Sequence, residues 1–405
     1  MPTIAQHPNL RRNFRLLFFI NALTETKLIN VVSTLFFLGR SLSISQIFYT
    51  GIIFALSSLI SEIPSSYLAD KWGRKHVISM SAFLNLVYIL MLIFLHGPLA
   101  IYFAFAIYGL SYALMTGTDE ALLYDTAKSL GEEETTLKKL GKYQSSHHFL
   151  KIFTPLIAAF IARNLTNKQF VMLLVIDGVF SLISLGLTAL LKEPNHFINL
   201  QQDEGRIYRQ AFHTIKNNPK LLSISLGRAL IFLGVFIIWR IQSDYFSQIG
   251  IPIIVLGAAV SIYQAGSFYF NFKVGKYFLN HSLEKRIQII NYICTILYFI
   301  LMALSLTILS PYLILGVYVV LVIIQNTRLP LYSEIINKSI PSESRATTIS
   351  LTNFIKSMLD IPVLLLVGLV SQFGYIYVFG FALVLSLISI FLFPIKQNRS
   401  NFLIP

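Results

Sequence analysis

The sequence predicts an all-α, polytopic membrane protein with twelve transmembrane helices in two pseudo-symmetric six-helix bundles. Three observations predict it. Apolar runs of about 20 residues, the length that crosses the hydrocarbon core of a bilayer, recur along the whole chain. Charged residues are only 12% of the 405, half the roughly 25% of ordinary soluble domains. Lys and Arg gather in alternate gaps between the runs, and most charges inside the runs fall on particular ones.

Six runs lie near 14–38, 44–66, 77–95, 98–120, 141–163 and 168–191. Arg11, Arg12 and Arg15 before the first give it the look of a signal peptide. Asn21, Glu25 and Lys27 interrupt that run and no small-x-small cleavage site follows closely, so it reads as a retained first span. Six more runs lie near 221–244, 252–273, 286–309, 311–333, 346–370 and 375–394. The longest polar segment, 192–220, carries Lys192, Asp203, Arg206 and Lys216 and reads as a cytoplasmic linker. The chain thus divides into a first bundle, 1–191, the linker, 192–220, and a second bundle, 221–405.

With the N-terminus inside, the inner loops hold Lys71, Arg74, Lys75, Lys139, Lys142, Lys285 and many others, whereas the outer loops hold only Arg40, Arg163 and Lys168. This is the positive-inside asymmetry, and it places both termini in the cytoplasm. It also accounts for the net charge of +14; the basic residues form no stripe of the kind that binds nucleic acid, and no such partner is expected. An internal repeat supports the two bundles. One constant offset lays GTDEALLYDTAK from Gly117 over NTRLPLYSEIIN from Asn326, Asp125 over Glu334, and Lys151 over Asp360.

The lone Cys294 excludes an intramolecular disulfide and a Cys-based metal cluster. His147 and His148 are adjacent and point different ways on a helix, and no His-Glu-x-x-His occurs. No metal or cofactor is therefore expected. No Gly-x-x-x-x-Gly-Lys-(Ser/Thr) loop for ATP occurs either. A multispan membrane enzyme would need a nucleophile and base clustered near one interface, which the sequence does not show.

A charge at the bilayer centre costs about 2.5–3.5 kcal/mol, so each one in a span is a functional candidate. Span one carries Glu25 and Lys27, span five Lys151, span six Asp177, span seven Arg228 and Arg240, span ten Arg328, and span eleven Lys356 and Asp360. At about 1.5 Å per residue Glu25 and Lys27 lie some 15–20 Å into span one. Two residues apart, they lie about 200° apart around a helix and cannot share one face, whereas Lys356 and Asp360 can pair. Tyr108, Tyr112, Tyr245 and Tyr263 are candidates to line a polar path.

Between spans two and three the chain reads Ser66-Tyr-Leu-Ala-Asp70-Lys71-Trp-Gly73-Arg74-Lys75. This resembles the Gly-x-x-x-Asp-(Arg/Lys)-x-Gly-(Arg/Lys)-(Arg/Lys) motif of the major facilitator superfamily, with Ser66 in place of its first Gly. Glu62-Ile-Pro64 and GTDEALLYDTAK resemble a bacterial branch of that superfamily, and Thr154-Pro155-Leu-Ile-Ala158-Ala159 is similar to its antiporter motif. Phe105 stands near the place where its drug exporters often carry an Arg. The resemblance implies secondary transport by alternating access, in monomeric form, in a bacterial inner membrane. Asp70, Lys71, Gly73, Arg74 and Lys75 would form a gating loop, with Asp119, Glu120 or Asp125 as its electrostatic partners. Asn21, Lys27, Lys151, Arg228, Arg328 and Lys356 would line the cavity, and the mixed signs of Glu25, Lys27, Arg228 and Arg328 would suit anionic or zwitterionic compounds. The cargo is expected to be a small solute, with protons as coupling ion and efflux as direction; the alternative is uptake of a nutrient or metabolite. Glu25, with no local counter-ion, is the expected coupling acid, and Asp360 is second because Lys356 can hold it ionised.

Overall fold

The computed structural model describes residues 8–132, 136–194, 219–273, 281–307, 310–338 and 345–393. All regular elements among them are helical. By contacts the chain forms two compact units, 1–200 with 253–261, and 201–252 with 262–405. The expected linker lies outside the described residues except for its two ends, as does most of the loop between the eighth and ninth spans.

The first half comprises α1 (Pro8–Glu25), a 3-10 helix (Leu28–Val32), α2 (Ser33–Gly39), α3 (Ile44–Trp72), α4 (Arg74–Phe94), α5 (Pro98–Met115), α6 (Thr118–Ser129), α7 (Thr136–Phe149), α8 (Thr154–Ile161) and α9 (Asn167–Ala189). The second comprises α10 (Pro219–Gln248), α11 (Ile253–Lys273), α12 (Leu283–Thr307), α13 (Pro311–Asn326), α14 (Arg328–Lys338), α15 (Arg345–Val370) and α16 (Tyr375–Leu392). Among the described residues eleven segments are long and apolar enough to cross a membrane. They are the expected spans except the fifth. That span is split into α7 and α8, because the Pro155 ring would clash with the Lys151 carbonyl and has no N–H to offer it.

Helix starts follow local chemistry. Ser43 and Gln46 form a reciprocal capping box at α3, and Thr166 and Gln169 form another at α9. Arg40, expected in an outer loop, is only 3% exposed. Its guanidinium donates to the Leu95 carbonyl at 2.9 Å and the Ile93 carbonyl at 3.3 Å, closing the C-terminus of α4 with a cation, as the helix dipole favours. α3 and α5 approach so closely that a Cβ on Gly109 would lie 2.5 Å from the Phe54 carbonyl oxygen, so only glycine fits. Ser81 and Ser111 bond each other's carbonyls at 2.7 and 2.8 Å across α4 and α5. Phe94, Leu99, Phe160 and Phe391 stay exposed, as a lipid-facing surface requires.

Candidate functional site

Two polar clusters in the first unit, and separate charged groups in the second, hold most of the charges singled out in the sequence.

The first is built on the α3–α4 connection. Gly73 turns the chain at φ +89°, a region L-residues avoid. Directly after it the Glu193 carboxylate accepts the Arg74 N–H at 2.9 Å and the Lys75 N–H at 2.8 Å, capping α4 with a negative charge. Lys75 Nζ donates to the Ala189 carbonyl at 2.8 Å. The Arg74 guanidinium pairs with Asp125 and also donates to the Ala121 carbonyl, joining the loop to α6. Asp70 lies in α3, and its side chain is outside the described residues; the partner found for Arg74 is Asp125. Of the other expected partners, Asp119 accepts from the Tyr143 hydroxyl and from the Glu120 N–H, and Glu120 accepts from Gln144 at 2.7 Å. Both therefore tie α6 to α7 rather than to the loop. Lys71 is exposed, over the Tyr67 ring at 5.7 Å. Glu193 and Tyr143 were not singled out from the sequence.

The second cluster sits where span one breaks. Thr26 turns its hydroxyl back onto the Ala22 carbonyl at 2.7 Å, and Lys27 is extended at φ −129°, ψ 111°. The freed N–H groups of Leu28 and Ile29 donate to the Asp177 carboxylate of α9 at 2.7 and 3.2 Å. Span one is therefore not the continuous helix expected. Lys27 curls onto the Thr24 carbonyl and Asn85 Oδ1, both at 3.1 Å, with its ammonium 5.3 Å from the Tyr108 ring and 5.9 Å from the Tyr88 ring. Glu25 ends α1, and its counter-ions come from another span. Its Oε2 lies 3.4 Å from Lys151 Nζ and 3.6 Å from His147 Nδ1. The partners come from the fifth span, Lys151 from the turn that Pro155 forces, so sequence spacing gave no sign of them. Asn21 donates to Ser146 at 2.7 Å on the same seam between α1 and α7.

The cluster is reachable: the Glu25 side chain keeps 29% of its surface. Tyr112 is 44% exposed, and it and Tyr108 lie within electrostatic reach of Glu25. Phe54 stands against both rings at 5.1 and 5.4 Å, held there by the close α3–α5 approach at Gly109. Together they make an aromatic wall beside an acid and two bases.

In the second unit Lys356 and Asp360 pair at 3.0 Å, with Lys356 also 4.8 Å from the Phe232 ring. Arg328 opens α14 after the break at Thr327 and is buried among Asn291 and Gln325. Arg228 is half-buried on α10. Tyr245 and Tyr263 are buried, Tyr245 bonding Ser305 at 2.7 Å, so they pack the interior of this unit instead of lining an open path. Asp244, not singled out from the sequence, accepts from Tyr375 and from Gln248.

Ionisable side chains set at breaks in membrane-spanning helices are the mark of a transport protein. The chain belongs to the major facilitator superfamily, whose model matches residues 15–359. It is 24% identical over 372 residues to the uncharacterized MFS-type transporter YxaM of Bacillus subtilis (strain 168), covering 89% of this chain and 90% of that one. Its fold is similar to that of the nucleoside transporter NupG, with a TM-score of 0.74 at 14% identity, covering 96% of this chain and 100% of that chain. A D-xylose-proton symporter matches with a TM-score of 0.72 at 13% identity, covering 94% and 95%. A bacterial homolog of the human lysosomal transporter Spinster matches at 0.71 and 16%, covering 90% and 83%. The family and the all-helical fold expected from the sequence are borne out.

Proposed function

We propose that this transporter exports a small solute across the bacterial cytoplasmic membrane, coupled to proton entry, by alternating access of the halves 1–191 and 221–405. Both termini and the 192–220 linker face the cytoplasm in this reading, and the 70–75 loop latches the first half. The observation that carries it is the Glu25–His147–Lys151 cluster: an accessible carboxylate facing two bases across breaks in the first and fifth spans. Protonating Glu25 removes the charge that holds Lys151 and His147, and deprotonation restores it. One proton per cycle then decides whether α1 and the fifth span are tied at that depth. Outward direction is supported by the likeness of Thr154–Ala159 to an antiporter motif.

The test is a solute screen with the purified protein in liposomes, with and without an imposed pH gradient. At least one solute is expected to move against the proton flow, faster with the gradient than without. Movement in the same direction as protons would make the protein an uptake symporter, and transport indifferent to the gradient would remove protons from the mechanism. Reporter fusions at the linker and C-terminus test the topology; a linker found outside would reverse it.

A further inference from the structure

Among the described residues of the second unit, a buried cation without a counter-charge lies where α13 meets α14. Arg328 is the bulkiest fully buried side chain among the described residues, 1% exposed. Its guanidinium donates to Asn291 Oδ1 at 2.8 Å, to Gln325 Oε1, and at 3.4 Å to the Gln325 carbonyl. All these acceptors are neutral. Burying a cation without a counter-charge is costly, and neutral hydrogen bonds offset that cost only in part. A second guanidinium, Arg228, is half-buried on α10, which packs against α14, the helix that carries Arg328 and Tyr332. The Tyr332 hydroxyl accepts from Asn291 Nδ2 at 3.2 Å, so its own proton is left to donate to an incoming acceptor. Among the described residues neither arginine forms an ion pair. Two acids of this unit have partners of their own: Asp360 holds Lys356, and Asp244 accepts from Tyr375 and Gln248.

We propose that Arg228, Arg328 and Tyr332 form a binding site for an anionic group, a carboxylate or phosphate, on the transported solute. Two forked donors and a hydroxyl suit the planar or tetrahedral oxygens of such a group. Arg228, the more accessible, meets the anion first, and Arg328 supplies a fixed positive charge behind it. The proposal rests on the transporter reading and adds the charge of the solute. An anionic lipid headgroup presents the same oxygens, so the test separates the two.

Cys294, the only cysteine, is buried, so a thiol-reactive dye reports thermal unfolding of the full chain in neutral detergent. The probes are inorganic phosphate and succinate, each against sodium chloride at equal ionic strength. Either probe is expected to raise the unfolding temperature of the unmodified protein by several degrees over chloride. The rise should vanish in Arg228→Gln, persist in part in Arg228→Lys, and be unchanged in Arg240→Gln. No rise with either probe, or an equal rise in Arg228→Gln, overturns the site. A rise given by phosphatidylglycerol over phosphatidylcholine in mixed micelles, with none from the soluble probes, overturns the solute assignment in favour of a lipid headgroup. Because the assay needs no transport, its failure leaves proton coupling standing, and a failed gradient experiment leaves this site standing.

Discussion

The two halves place their charges differently on corresponding positions. The offset that carries Ile44, the start of α3, onto Ile253, the start of α11, also carries Asp119 onto Arg328, His147 onto Lys356 and Lys151 onto Asp360. Acid stands over base at the first and base over acid at the last. In the first half the charges meet across helices, Glu25 with Lys151 and His147, and Asp177 with the backbone of span one. In the second half Lys356 and Asp360 pair within one helix, and Arg328 has only neutral partners. Span seven shows what the first-half charges do to a helix. Glu25, Lys27 and Asp177 correspond to Gly234, Phe236 and Ser386, and α10 runs unbroken from Pro219 to Gln248. The break in span one thus follows from its polar partners, above all a carboxylate able to accept two backbone N–H groups.

That contrast can be broken by mutation. Asp177→Ala strands two buried N–H groups and should lower stability by about 3 kcal/mol, whereas Ser386→Ala at the corresponding place loses one hydroxyl bond, about 1 kcal/mol. Thermal or denaturant unfolding of both variants checks it; equal losses would mean that Asp177 does not hold the break. Gly73→Val forces a branched residue to φ +89° and sets its Cβ 3.3 Å from the Glu193 carboxylate. A loss of about 2 kcal/mol is expected, together with slowed transport at equal expression; Asp70→Asn should slow transport with little loss of stability. Normal transport by both would reduce the loop to a topological signal.

The smallest effect concerns Glu132, whose carboxyl is held below its ordinary range by the hydrogen bond from Lys139 and the charges of Lys139 and Arg11. A depressed carboxyl contributes stability above its unfolded value and loses it as pH falls through the folded one. Glu132→Gln should therefore cost less than about 1 kcal/mol at neutral pH. Melting curves of the two proteins should converge in acid, and a gap that widens there would reverse the sign.

Much of this molecule is legible in its sequence, because a bilayer imposes run length and charge asymmetry that read directly as spans. The turn at Gly73 was legible because its residues are local, whereas residues 66–72, read as loop, continue α3. Pairings between distant elements were not. Glu193 caps α4 from beyond the sixth span, and Lys151 reaches Glu25 from a turn that exists only because Pro155 interrupts an apolar run. A twenty-residue window sees that run as one helix, and an isolated Glu25 as unpaired.

The central claim, that the Glu25 cluster and not the Lys356–Asp360 pair couples transport to protons, is tested most directly by comparing two isosteric variants in liposomes. Both are measured for gradient-driven accumulation and for solute exchange without a gradient. The account predicts that Glu25→Gln abolishes accumulation but keeps exchange, while Asp360→Asn retains accumulation. Full gradient-driven accumulation by Glu25→Gln, with its loss in Asp360→Asn, would contradict it and move the coupling site to the second half.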